Sequence, residues 1–181
     1  SVDDKVRRRI REIKEELERV LTRSERESDD IKRELEEVLK RSEERTKKIK
    51  DDAERGGVSD ELREKLERET KRAEDKHRKI REDLKRDEDR NRKRHKEIRD
   101  EARKDTERMK KKLKDLKDDK DDERVMRDLE RELEKLERKV REIKRELEEH
   151  NARLREKVRR IDEDLKRDNK ELEDTIREDT R

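Results

Sequence analysis

Residues 20–39 read VLTRSERESDDIKRELEEVL. Val20-Leu21 opens the stretch, Ser24, Ser28, Ile31 and Leu35 follow three or four residues apart, and Val38-Leu39 closes it. The pattern then restarts with Ser42, Thr46, Ile49 and Ala53, each eighteen residues after its counterpart. Eighteen residues make five turns of an α-helix at about 3.6 residues per turn, so every unit returns to the same face. A seven-residue repeat winds helices into a left-handed supercoil and an eleven-residue repeat into a right-handed one. Eighteen is their sum and requires neither. The stretch therefore predicts straight, untwisted helices packed side by side.

The same 4-4-3-4-3 stepping extends outward in both directions. Towards the N-terminus it passes Leu17, Ile13, Ile10 and Val6 to Val2, with Ser1 placed as an N-cap and Asp3 and Asp4 opposing the helix dipole. Towards the C-terminus it runs to Ala53 and stops at Gly56-Gly57, a pair suited to the left-handed conformation that ends a helix. Ser59 reads as the next cap, with Asp60 and Glu61 behind it. A second seam spans Leu62 to Leu116 and a third Val125 to Ile176, separated by the run at 117–122 in which Asp119, Asp121 or Asp122 is placed to cap. The expected fold is all-α: an antiparallel up-down-up three-helix bundle over residues 1–181, with helices at about 2–55, 60–118 and 122–179. Each helix would be about 80–90 Å long.

Composition alone points elsewhere. The chain is 68% charged and 22% hydrophobic, with no aromatic residue, Pro or Cys, which is the make-up of a disordered or solvated segment. The seams answer that reading. Of their 46 positions, 34 are apolar and one, Glu88, is charged; the only apolar residues elsewhere are Leu21, Leu39, Val58, Met126 and Ala152. Charge argues against nucleic acid as a partner, because 63 basic and 60 acidic residues cancel to +3 and alternate finely. The longest basic runs, Arg7-Arg8-Arg9 and Lys110-Lys111-Lys112, read as solvated helix surface. Without Cys there are no disulfides or thiolate metal sites. No apolar run has the length of a signal peptide or a membrane span, so neither a membrane nor a targeting signal is expected, and the compartment stays open.

The polar residues on the seams carry the most information. All three asparagines (Asn91, Asn151, Asn169), two of three histidines (His77, His95) and Ser24, Ser28, Ser42, Thr46, Thr70 and Thr106 sit where a core belongs. With alternating helices, the turn lengths bring Ser24, Asn91 and Asn151 into one layer, with Ser28 and His95 a turn away. Eighteen residues on, Ser42 and Asn169 meet beside Ala73, flanked by Thr46, Thr70 and His77. Buried polar groups are costly unless paired, so these ten residues (Thr106 apart) are expected to form hydrogen-bond networks that set helix register. Ala73 in place of Asn91, and Leu133 in place of Asn151, break the near-identity of successive repeats. Glu88 either reaches outward or accepts from Ser28.

Other chemistry finds little footing. His77 and His95 lie five turns apart on one helix, about 27 Å, and cannot share an ion. Glu74-x-x-His77 matches half of a di-iron motif whose second copy is missing. No nucleophile–base pair, phosphate loop or His-Glu-x-x-His is present, so no enzyme, cofactor or metal is expected. A concave ligand pocket is not expected either, given no aromatic side chains and few irregular loops. Two alternatives stand beside a monomeric scaffold. Val20-Leu21 and Val38-Leu39 widen the first seam, either for its own neighbours or for a helical partner or second copy. Buried His77 and His95 would make such a module pH-responsive.

On these features the whole chain resembles computationally designed, parametrically generated helical bundles with buried hydrogen-bond networks. The resemblance lies in the regular seams, the capped turns, the surface of Glu, Lys, Arg and Asp, and the Asn, Ser, Thr and His confined to the interior. Spectrin-like three-helix repeats differ, with aromatic cores and seven-residue periods. The resemblance implies a stable, soluble structural scaffold with no evolved biochemical activity.

Overall fold

The computed structural model describes residues 2–116 and 119–179, with the side chains of 3–116 and 123–179. It holds three helices, α1 Val2–Arg55, α2 Asp60–Lys114 and α3 Asp119–Asp179, and the fold is an all-α three-helix bundle.

The first turn follows from local chemistry. Gly57 takes a φ of 75°, the left-handed conformation that reverses the chain after α1, and Gly56 N donates to Asp52 O at 3.1 Å. Ser59 caps α2: its Oγ accepts from Leu62 N at 3.2 Å, satisfying an amide that has no partner within the helix. Ser1 lies outside the described residues. The second turn differs from the expected boundary. α2 ends at Lys114, four residues before 118, and Leu116 N turns back to Leu113 O at 3.3 Å. Lys111, Lys112 and Lys114 favour the negative end of the dipole, whereas the aspartates that follow oppose it, so the helix stops between them. α3 starts at Asp119 rather than 122. Lys117 and Asp118, and the side chains of the candidate caps Asp119, Asp121 and Asp122, lie outside the described residues.

The chain divides into two compact units, Ser1–Glu27 with Asp89–Asn151, and Ser28–Glu88 with Ala152–Arg181. In the first, Val6, Ile10, Leu21, Ile98, Met109, Leu129, Leu133 and Leu147 belong to one buried apolar cluster drawn from all three helices. In the second, one cluster gathers Ile31, Leu35, Leu39, Leu84, Val158 and Leu165, and another gathers Ile49, Ala53, Leu62, Leu66 and Leu172. Leu21 and Leu39 are 0% exposed. The second residue of each doublet is thus enclosed by this chain's own helices, as a three-sided core needs.

Ion pairs show the helix directions within each unit. In the first, Arg9 pairs with Glu137, while Arg99 reaches both Glu18 and Glu25 and Arg94 pairs with Glu146. In the second, Arg45 pairs with Glu173, Arg81 with Glu36 and Glu43, and Lys76 with Asp164 and Asp168. Residue numbers rise together along α1 and α3 and fall along α2, which is the up-down-up order. These pairs repeat at the period of the core. Arg99 with Glu18 and Glu25 becomes Arg81 with Glu36 and Glu43, and Lys139 with Glu101 and Asp105 becomes Lys157 with Asp83 and Asp87. Each half-exposed pair contributes about 0–1 kcal/mol, so the set adds specificity of pairing more than stability.

Buried polar layers and an open cleft

At the end of the first unit's core, beyond Leu21, Ile98 and Leu147, three side chains from three helices meet. Ser24 Oγ lies 3.3 Å from His95 Nε2, and Asn151 Nδ2 donates to Ser24 O at 3.3 Å and to Glu27 Oε2 at 3.4 Å. His95 is 2% exposed and Asn151 1%. The ring of His95 has a defined tautomer. Its Nδ1 sits 2.6 Å from the carbonyl of Asn91, one turn earlier, and a carbonyl can only accept. Neutral His95 is therefore protonated on Nδ1, leaving Nε2 to accept the hydroxyl hydrogen of Ser24.

The expected layer differed by one turn. Ser24 faces His95, not the side chain of Asn91, because α2 sits four residues further along α1 than the turn length predicted. Asn91 is half-buried, and its backbone carbonyl serves the layer. Ser28 is also half-buried, a turn beyond Ser24 in the second unit. Glu88 does not simply reach outward: Lys32 Nζ donates to its Oε1 at 2.9 Å from α1.

The second unit repeats the arrangement between its two apolar clusters. Ser42 Oγ lies 2.8 Å from His77 Nε2, eighteen residues from the Ser24–His95 contact on both helices. Thr46 Oγ1 is 2.9 Å from Ser42 O and 2.8 Å from the amide oxygen assigned to Asn169. One hydroxyl hydrogen cannot serve two acceptors. With the Asn169 amide turned so that its nitrogen faces Thr46, the hydroxyl donates to Ser42 O and accepts from the amide, and both contacts are satisfied. Ser42, Thr46 and His77 are buried; Asn169 is half-buried. Thr70 stands apart: half-buried, it donates to Leu66 O of its own helix at 2.7 Å. Thr106, within the first core, likewise donates to Arg103 O. Burial pushes the His77 imidazolium pKa down; Arg81 and Lys76 add to this, and Glu43 and Asp168 oppose it.

A cleft of about 700 Å³ opens between α1 and α2 of the second unit, against the expectation that no concavity would form. Ala73, Thr46, Thr70 and His77 line it. Its origin was visible as a substitution, since one repeat further along α2 the small Thr70 and Ala73 are replaced by Glu88 and Asn91. Among the described residues, no group of three or more His, Asp and Glu side chains is arranged to hold a metal ion, and no helix is long and apolar enough to cross a membrane. No protein-family model, curated protein or solved structure matches the chain.

Proposed function

We propose that this chain is a computationally designed structural scaffold: a monomeric bundle without evolved biochemical activity, whose helix register is specified by polar layers. The observation that carries the reading is the recurrence of one Ser–His contact, Ser24–His95 and Ser42–His77, at the five-turn period of both helices. Asn151 and Asn169 follow it at the same period on α3. Shape alone does not demand a serine opposite a histidine in an aliphatic core. A satisfied polar pair discriminates instead, because a wrong helix pairing leaves its members buried and unpaired. The ion pairs that repeat on the surface at the same interval support the reading. So does the absence of any matching protein or family.

An idealised repeat is interchangeable, and that property is testable. Excising 24–41, 78–95 and 152–169 removes eighteen residues from each helix and brings Ser42, His77 and Asn151 together as the surviving layer. The shortened chain is expected to remain helical, with a cooperative thermal transition. Loss of cooperative unfolding would overturn the scaffold reading. Light scattering tests the monomer: the full chain is expected at its mass of 22.6 kDa at 100 μM, and twice that mass would move the reading to a self-associating module.

A further inference from the structure

We propose that the α1–α2 cleft over Ala73 is a binding site for a small neutral aromatic alcohol, of the size of a phenol or naphthol. The cleft's volume, about 700 Å³, lies in the range of small-molecule sites. Its floor is chemically one-sided. Thr70 Oγ1 donates its only hydrogen to Leu66 O at 2.7 Å, and Thr46 Oγ1 donates its own to Ser42 O at 2.9 Å. Each threonine can offer a ligand only lone pairs and a methyl group. Thr70 makes no other hydrogen bond among the described residues, so its lone pairs are free to accept. His77 Nε2 is engaged by Ser42.

The occupant follows by elimination. A carboxylate or phosphate would set lone pairs against lone pairs. An ammonium would supply hydrogens, but the lining is of mixed sign, with Lys47, Lys50, Lys85, Arg78 and Arg81 against Glu43, Asp51, Glu74 and Glu82, and gives a cation no net attraction to offset the loss of its hydration. A neutral hydroxyl donor fits the floor without that cost. An aromatic body suits the rim, because ammonium groups are attracted to ring faces, and the ring covers the methyls of Ala73 and the threonines. The chain has no Phe, Tyr or Trp, and the His77 imidazole that lines the cleft is held by Ser42, so no ring of the chain is free to fill it.

The test is titration with 2-naphthol at pH 7, followed by its own fluorescence, which the protein does not contaminate. One saturating site is expected, with a Kd of roughly 0.1–1 mM for a ligand of this size. 2-Methoxynaphthalene has the same rings but no hydrogen to donate, and should bind about fivefold more weakly. Thr70→Val should erase that difference, and Ala73→Leu should abolish binding. Methyl NMR of the unaltered chain maps the site without any variant: the ligand should shift Ala73, Thr46 and Thr70. No saturable site up to 2 mM, equal affinity for the ether and the alcohol, or shifts spread over other methyls would each overturn the proposal.

Discussion

Ser24→Ala should destabilise the chain by about 1 kcal/mol, and only while His95 is present. The substitution removes the hydroxyl that His95 Nε2 accepts from, 3.3 Å away, inside a site where the imidazole is 2% exposed. A buried acceptor left without a donor costs about 1–3 kcal/mol, and the length of this bond places it near the lower end. Alanine recovers about 0.5 kcal/mol through its higher helix propensity. The contact of Asn151 is untouched, since its partner is the backbone carbonyl of Ser24. His95→Leu should be neutral or stabilising. It removes a buried polar ring, and the freed Ser24 hydroxyl can turn to a carbonyl of its own helix, as those of Thr46 and Thr70 do. In the His95→Leu background, Ser24→Ala should then stabilise by about 0.5 kcal/mol. The cycle thus predicts a coupling of about 1–2 kcal/mol, read as midpoint shifts of about 2–4 °C per kcal/mol by circular dichroism at pH 7.5. If Ser24→Ala has the same effect with His95 and with leucine, to within 0.3 kcal/mol, the two side chains are not coupled and the layer is not a network.

Stability should also fall as pH drops below about 6.5, because the His77 pKa is lowered in the folded state, chiefly by burial. The unfolded chain then binds the proton first, so the loss grows as pH falls towards the folded pKa, by up to about 1.4 kcal/mol per pH unit. His77→Gln should flatten the midpoint between pH 7.5 and 5.5, and an unchanged slope would contradict this. Leu39→Ala, at a site 0% exposed within the apolar cluster of the second unit, should cost about 2–5 kcal/mol in chemical denaturation. Gly57→Ala should cost about 1 kcal/mol because φ is 75°, whereas Gly56→Ala should cost little: a Cβ there meets nothing closer than 3.6 Å. Comparable melting temperatures for the two glycine variants would refute that distinction.

Helix number, direction and core face were legible because one periodicity ran through every seam: Ile10, Leu35, Leu62, Leu133 and Leu165 all stand at seam positions and are all buried. The Ser59 cap and the Gly57 turn were legible because their chemistry is local. Register was legible only to within a turn. The offset between α1 and α2 depends on how tightly three residues after Gly56 reverse the chain, and a one-turn difference exchanges Asn91 for His95 opposite Ser24. Lys32 as a partner of Glu88 was missed because it lies off the seam, one among many surface lysines. The inter-helical ion pairs were missed for the same reason, although their eighteen-residue recurrence (Arg81 and Arg99, Lys139 and Lys157) was present to be found. The cleft was missed because Ala73 was read as a device for breaking register. The space left by a missing carboxamide follows from the same residue.

The most direct test of the buried layers is which ring nitrogen of His95 carries the hydrogen, read by long-range ¹H–¹⁵N correlation on the ¹⁵N-labelled chain at pH 7.5. With three histidines in the chain, single His→Gln variants assign the signals. The geometry predicts a hydrogen on Nδ1, held by the carbonyl of Asn91 at 2.6 Å and slow to exchange with water. A ring protonated mainly on Nε2, or one whose N–H exchanges freely, would mean that the Asn91 contact does not form and that His95 is not held in the layer as described.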